Sequence, residues 1–549
     1  MQTNNSTRRR AGGPRSRAGC ATCRHRRVKC DEAPGHCLRC TKANLQCEGY
    51  HRTPTSKNTQ SIILPKPDRS FPLSNIRPTG CLPGETETEN RYLRYFQNET
   101  TSGFQSAWDW TLWNRLMLQG CQHESFIRYA VVAIGALHKS LRASSPMGQG
   151  SRARTSDSMA KLHREFAFLS YGKALNKMQL AIAADPGPRL ALIACLLIVC
   201  FESHAGNRYK AIAHAKSGVA IREELHRTRR QIVDYNEITE AFNNLDIQIS
   251  TLNDDRAVDI HEKLIQGDSW LLVSMPDEFQ DLGEAKKYWS VIMRRSCHFM
   301  ATTWRRTDPH SLVRKPMTSI PGSVLTTVGD TIHTTSAKVD DAVRIGSRSF
   351  SLELSRWSQA FDSIFARIRR TSISTLRHYV IATMLQIQAL TLKITLAGIA
   401  FTQEILYDQF HADFKNIVRY AEDVATVRHS NSHTDFWAGS FLVDLGLVAP
   451  LFTLLLRCRD PVLRRRAITV LQSWHVECWW DPLMIVSIGR FIMNVEEKGM
   501  VGGFIPESSR AILTAKRNCP PQREMMLQCV QRTDGVGGGL EWTENIVSW

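Results

Sequence analysis

Six cysteines packed into one short N-terminal stretch constrain this chain more than any other feature it has. Cys20, Cys23, Cys30, Cys37, Cys40 and Cys47 spell C-x2-C-x6-C-x6-C-x2-C-x6-C, so the unit C-x2-C-x6-C occurs twice. A segment this small cannot bury enough apolar surface to fold by hydrophobic burial. A C-x2-C pair places two thiolates on one metal, and a third sulfur six residues later closes back after a short helix. Each half therefore offers three ligands where zinc takes four. Two tetrahedral zinc ions need more positions than six sulfurs supply singly, and the count closes when two sulfurs are shared. The repeat assigns the sharing to the first cysteine of each half, Cys20 and Cys37. Cys23 and Cys30 are then terminal on one zinc, and Cys40 and Cys47 on the other. Metal binding supplies the folding free energy, on the order of 10 kcal/mol or more per structural zinc.

The remaining composition fits that use of cysteine. The N-terminus from Met1 to Arg17 is polar and basic, without the apolar stretch of a signal peptide, which predicts a chain kept inside the cell. Thiols stay reduced there, so the 15 cysteines do not form a disulfide framework and a clustered set binds metal. The formal net charge is +18, and its excess lies at the front, where the first thirty residues contain no acid. Such a block suits a polyanion, and Arg8-Arg9-Arg10 with Arg15 and Arg17 suits a nuclear import receptor or a phosphate backbone. The longest apolar run, Leu190 to Phe201, falls short of the roughly 20 residues of a membrane span and reads as a buried core helix, so no membrane partner is expected.

The stretch GCATCRHRRVKCDEAPGHCLRCTKANLQC resembles the fungal C6-type, Zn(2)-C6, zinc cluster transcription factors, and all six cysteine positions agree. The resemblance implies two short helices around a pair of zinc ions bridged by Cys20 and Cys37, with the first helix in the DNA major groove. It places Arg26 and Arg27 at the base-reading positions. An arginine fork binds O6 and N7 of guanine in bidentate fashion, so resemblance and chemistry together point to a CGG-like triplet. Arg24, Lys29, Arg39 and Lys42 then fall on phosphates. Part of this cationic run also offsets the charge of about −2 on six thiolates and two zincs. The chain departs from the family in one place: Pro34 stands three residues before the fourth cysteine instead of two, and Gly35 follows it.

Residues 1–19 thus read as a basic arm, 20–50 as the zinc cluster, and 51–89, rich in Pro, Ser and Thr, as a flexible linker. The linker has no series of apolar a and d positions, so a coiled-coil dimer is not expected there. Either the cluster binds a single half-site, or the large domain brings two copies together as a homodimer. From 90 to 515 the apolar period is helical, as in Ile127, Val131, Ile134, Leu137 and Leu141. Helices are expected at Leu190–Phe201 and Tyr209–Leu225, forming a hairpin broken at Gly206-Asn207. Others are expected at Ser351–Arg369, Leu376–Leu396, Ile405–Val427 and Phe436–Arg457, with an irregular loop from Arg314 to Ile345. In 516–549, two strand-like runs flank a glycine-rich turn and predict a short C-terminal β-hairpin. The fold class is therefore mostly α: a small N-terminal zinc cluster, a large helical domain and a terminal hairpin. The stretches Trp113–His138 and Glu496–Thr514 resemble the regulatory domain that accompanies these clusters.

Function follows from these parts as a set of expectations. The chain should be a sequence-specific regulator of RNA polymerase II transcription, working in the nucleus on double-stranded DNA with the transcription machinery. The family often governs pathway gene clusters, including those of secondary metabolism, by analogy alone. The alternative is a zinc-cluster scaffold that binds proteins and not a DNA sequence. No catalytic role is expected: HExxH, GxSxG and GxxxxGK[ST] patterns are missing, and His429, His433 and Asp435 sit in a polar stretch between helices.

Overall fold

The computed structural model describes residues 19–49 apart from 27 and 34–35, 84–101, 112–143, 152–184, 187–228, and 236–306 apart from 253 and 255. It further describes 324–327, 341–370, 376–430, 446–519 apart from 475, 476 and 478, 523–532 and 539–549. The chain divides into two compact units, Met1–Thr79 and Gly80–Trp549. The expected basic arm and most of the linker lie outside the described residues.

The small unit contains two short helices, α1 (Ala21–His25) and α2 (Leu38–Thr41), each opening at the second residue of a C-x2-C pair. Among the described residues its buried core consists of the six cysteines alone. Val28, Leu38 and Leu45 are exposed, so among the described residues no apolar cluster stands behind the sulfurs.

The large unit is helical, and several of its helix starts are written locally. Thr86 accepts from Glu89 N while Glu89 accepts from Glu85 N, a capping box that opens α3 (Glu87–Tyr95). After α4 (Met117–His123) come α5 (Ser125–Ala143) and α6 (Arg152–Ala184), which pack along their length. The helix α6 buries Ala160, Ala167 and Ala174, spaced seven apart, and Ser140 of α5 donates to Ala160 O at 2.7 Å. The hairpin expected at Gly206 is present: α7 (Pro188–His204) and α8 (Arg208–Thr228) flank Gly206, whose φ of +83° suits glycine alone. With α9 (Asn236–Leu252) these helices enclose one hydrophobic core.

A second core gathers α10 (Val258–Gln266), α11 (Ser269–Val273), α12 (Leu282–Arg306), α13 (Asp341–Arg370), α14 (Leu376–Gly398), α15 (His411–Ser430), α16 (Val448–Arg457), α17 (Pro461–Gln472) and α18 (Pro482–Glu496). Asp460 and Asp481 repeat one device: each carboxylate caps the helix that follows, and each is succeeded by proline at the first helical position. By length and composition α14 is apolar enough to cross a membrane. Its Val380, Ile381, Leu385, Ile387, Leu392 and Ile394 are buried in this core, which accounts for its composition. The two cores meet where Arg294 of α12 bonds Asp246 of α9 at 2.8 Å and Glu223 of α8 at 2.6 Å. Trp479 reaches from the second half into the first core and donates to Ser203 Oγ.

The expected terminal hairpin is part of a larger antiparallel sheet in the order β1 (Val324–Thr327), β2 (Ile512–Cys519), β3 (Glu524–Arg532), β4 (Leu540–Ser548). Met525, Leu527 and Cys529 of β3 are completely buried in the second core. Three sequence expectations need correction. The Arg314–Ile345 stretch holds β1, and the helix after it begins at Asp341. Ile405–Val427 is not one helix, because a 3-10 segment (Glu404–Phe410) precedes α15. Of Phe436–Arg457, the described helix is only Val448–Arg457, because its start is fixed by Glu477, a residue far along the chain.

Candidate metal centre

Each C-x2-C pair folds in the same way, as its repetition requires. Cys23 N donates to Cys20 Sγ at 3.4 Å, and Cys40 N donates to Cys37 Sγ at 3.3 Å. The first sulfur of each pair therefore receives a backbone dipole that favours its thiolate. Glu32 N donates to Cys30 Sγ at 3.4 Å, and Glu32 takes a φ of +59° to do so. The segment after the last cysteine closes onto α1: Ala21 N bonds Gly49 O, and Thr22 Oγ1 both donates to Gln46 O and accepts from Glu48 N.

The sulfurs form two groups of four, Cys20–Cys23–Cys30–Cys37 and Cys20–Cys37–Cys40–Cys47, with the donor atoms of each group within 4.8 Å of one another. Cys20 and Cys37 belong to both groups. Their sulfurs are 3.6 Å apart, and Cys23 to Cys37 and Cys20 to Cys40 measure 3.6 and 3.8 Å. Two thiolates on one tetrahedral zinc at about 2.3 Å stand about 3.8 Å apart, so the spacing suits shared metal ions. Burial pushes the Cys20 thiol up to about 12 and raises Cys23 and Cys37 as well. A bound dication reverses that direction, since a coordinated thiol loses its proton outright. All six positions fit a binuclear cluster of two Zn2+ ions.

Around the sulfurs the cations point outward. Arg26, Lys29, Arg39 and Lys42 are exposed. Arg24 lies on α1, while the side chain of Arg24 and all of Arg27, like Pro34 and Gly35, fall outside the described residues. His433 and Asp435 and the side chain of His429 are also outside them.

Sequence reasoning missed three supports of this site. Asp31 accepts from Leu38 N at 3.0 Å and Arg39 N at 3.2 Å, capping α2 from the other half of the repeat. Desolvation works against its charge, but these N–H donors prevail and hold its carboxyl below the ordinary value. Thr22 ties down the C-terminal segment, and a Cβ on Gly19 would stand 2.9 Å from Cys30 Cβ. None of the three follows a local rule, because each partner lies seven or more residues away.

Residues 18–57 match the family model described as the fungal Zn(2)-Cys(6) binuclear cluster domain. The chain is 32% identical over 226 residues to the aspercryptin biosynthesis cluster-specific transcription regulator atnN of Emericella nidulans, covering 38% of this chain and 34% of that one. It is 26% identical over 225 residues to the transcription regulator lscL of Purpureocillium lilacinum, covering 40% and 51%. The transcriptional regulatory protein moc3 of Schizosaccharomyces pombe is 45% identical over 51 residues, 9% of this chain and 10% of that protein. The matched part thus spans between a tenth and about half of the length of these relatives. No solved structure matches the chain. With its six cysteines in two sulfur groups that share a pair, the segment of residues 18–57 is a fungal Zn(2)-Cys(6) binuclear cluster domain.

Proposed function

We propose that this chain is a nuclear transcription factor that binds double-stranded DNA in a sequence-specific manner through its zinc cluster. The observation that carries the reading is the pairing of two sulfur groups sharing Cys20 and Cys37 with a rim of exposed cations, Arg26, Lys29, Arg39 and Lys42. The metal ions fix a backbone that has no apolar core among its described residues, and the fixed backbone aims the cations. Cys20 and Cys37 bridge the two zincs; Cys23 and Cys30 complete one site, and Cys40 and Cys47 the other. Arg26 and Arg27 read the guanines of a CGG-like triplet, while Arg24, Lys29, Arg39 and Lys42 hold phosphates. The basic arm of residues 1–19 engages an import receptor, the linker of 51–89 spaces the cluster from the helical domain, and that domain meets the transcription machinery. The names of atnN and lscL support a regulatory role, and that of atnN supports control of a biosynthetic gene cluster.

Selection from random duplexes by zinc-loaded protein tests the proposal. The expected result is enrichment of a short guanine-containing triplet by protein that carries two zincs per chain. Fewer than two zincs, or equal recovery of all duplexes, overturns it and leaves the scaffold reading in its place. Cadmium-substituted NMR tests the bridging, which requires cadmium–cadmium coupling through Cys20 and Cys37.

A further inference from the structure

Where the two cores of the large unit meet, a row of polar side chains is buried that helix packing does not call for. His261 of α10 and His298 of α12 are completely buried, and their Nδ1 atoms stand 3.0 Å apart. His298 Nε2 lies 3.1 Å from Asp246 Oδ2 on α9. At the other end His261 Nε2 lies 3.8 Å from Asp254 Oδ1, in the connection between α9 and α10, and the Asp254 side chain is only 3% exposed. The row therefore reads carboxylate, imidazole, imidazole, carboxylate.

Two neutral imidazoles cannot fill that row favourably, because each ring has one hydrogen and one lone pair. With hydrogen on His298 Nε2, facing Asp246, the hydrogen between the rings belongs to His261, whose Nε2 lone pair then faces the Asp254 carboxylate. The opposite assignment turns the His298 lone pair on Asp246. A third hydrogen would serve both ends, but burial opposes charge on the His298 ring and holds it below its ordinary value. The charges around the row still favour a cation. Ion pairs join the carboxylates of Asp246, Asp254, Glu223 and Asp268 to the guanidiniums of Arg222, Arg256 and Arg294, four negative groups on three positive ones.

We propose that His261, His298 and Asp254 bind a transition-metal dication of the zinc type, in a site of nitrogen and oxygen donors unlike the thiolate cluster. One donor atom of each residue lies within 4.8 Å of the others. Two nitrogens on a tetrahedral zinc at about 2.0–2.1 Å stand about 3.3 Å apart, close to the spacing of the two rings. His298 offers Nδ1, because Asp246 fixes the hydrogen on Nε2 as an outer carboxylate that orients a metal-bound histidine. Arg256 donates to Asp254 through Nε at 2.9 Å and holds the third ligand in the same way. Imidazole donors favour zinc, nickel or iron over magnesium and calcium, which take oxygen. The ion would tie α10 and α12 to the connection after α9, so the stability of the large unit would follow the supply of metal. The hydrophobic cores hold the fold without it, so native fluorescence stays the same.

Elemental analysis of the full-length protein, dialysed at pH 7 against micromolar free zinc, tests this beside His261→Gln and Asp254→Asn. Each variant should hold one zinc fewer per chain than wild type, a difference that does not depend on how many ions the cysteines hold. With cobalt in place of zinc, the difference spectrum between wild type and variant should show weak visible bands without the strong near-ultraviolet absorption of a cobalt thiolate. Zinc should also raise the urea midpoint of wild-type tryptophan fluorescence, which reports the large unit alone, and magnesium at the same concentration should not. Equal zinc content in wild type and variants, thiolate absorption in the difference spectrum, or a midpoint that zinc leaves unchanged or magnesium raises equally overturns the site. The comparison of zinc with magnesium needs no variant, so it decides the matter even where a substitution prevents folding. Binding of a duplex by the cysteine cluster is a separate measurement, and its outcome is untouched by failure here.

Discussion

Arg27 and Lys42 should respond to truncation in different ways, because a guanidinium fork on a base edge carries sequence information and an ammonium on a phosphate carries none. Arg27→Ala is expected to flatten base preference, at a cost of roughly 1–3 kcal/mol of discrimination. Lys42→Ala should weaken binding to all duplexes alike and reduce the salt slope by about one charge. Competition titrations at several salt concentrations distinguish the two, and equal, sequence-independent losses would remove the base-reading role. Asp31 acts at the same scale by another route. It holds the N-terminus of α2 from across the repeat, through Leu38 N and Arg39 N. Asp31→Ala should leave the six sulfurs in place yet release zinc to a chelator faster than wild type, with Asp31→Asn intermediate, as followed with a zinc dye. A rate unchanged in both variants would mean that the metal ions alone set the geometry of α2.

Elements were legible where their signals are local. The C-x2-C-x6-C repeat reported its own symmetry, and the hairpin of α7 and α8 was marked by its apolar run and by Gly206-Asn207. Elements became illegible where a distant residue fixes them. Glu477 is buried and accepts from Leu447 N at 2.8 Å, Val448 N at 2.9 Å and Trp474 Nε1 at 2.5 Å. It caps α16 from 29 residues away in sequence to Val448. No pattern near residue 448 announces that partner, so apolar periodicity alone set the expected start too early. The strand β1 was missed for a related reason: its pairing partner is β2, nearly two hundred residues later in the chain. Such caps matter energetically, since removing a buried carboxylate strands several donors without partners. Glu477→Ala should destabilise the large unit by about 3 kcal/mol, seen as a lower urea midpoint with an unchanged slope. An unchanged midpoint would show that water replaces the carboxylate at no cost.

At the scale of the whole molecule, two units with different sources of stability should fail under different conditions, and the tryptophans report on only one. All 13 tryptophans lie at or beyond Trp108, in the large unit. The small unit is organised by sulfur and metal, so a chelator at neutral pH should abolish DNA binding while leaving tryptophan fluorescence unchanged. Acid should act on the large unit through buried histidines. His298 is completely buried against Asp246 and His261, and His163 is buried against Tyr92. Desolvation holds both imidazoles below their ordinary value; for His163 the charges of Lys139 and Arg91 add to it, while for His298 it prevails over the pull of Asp246. Once unfolded, each takes up a proton near pH 6.5, whereas the native state refuses it until lower pH. The unfolded chain thus binds more protons in that window, and stability must rise with pH through it. The contribution is complete above about pH 6.5 and is lost progressively below it. Asp246 behaves as a carboxylate held well below its ordinary value, because His298, Arg256 and Arg294 outweigh its desolvation. Its own contribution therefore persists down to about pH 4 and is lost only below that. Urea denaturation followed by tryptophan fluorescence at pH 7 and pH 5 should then show lower stability at pH 5. Replacing His163 with Gln should flatten the dependence, since that position no longer titrates. A pH dependence of equal steepness in the variant would mean that His163 takes up its proton alike in the native and unfolded states.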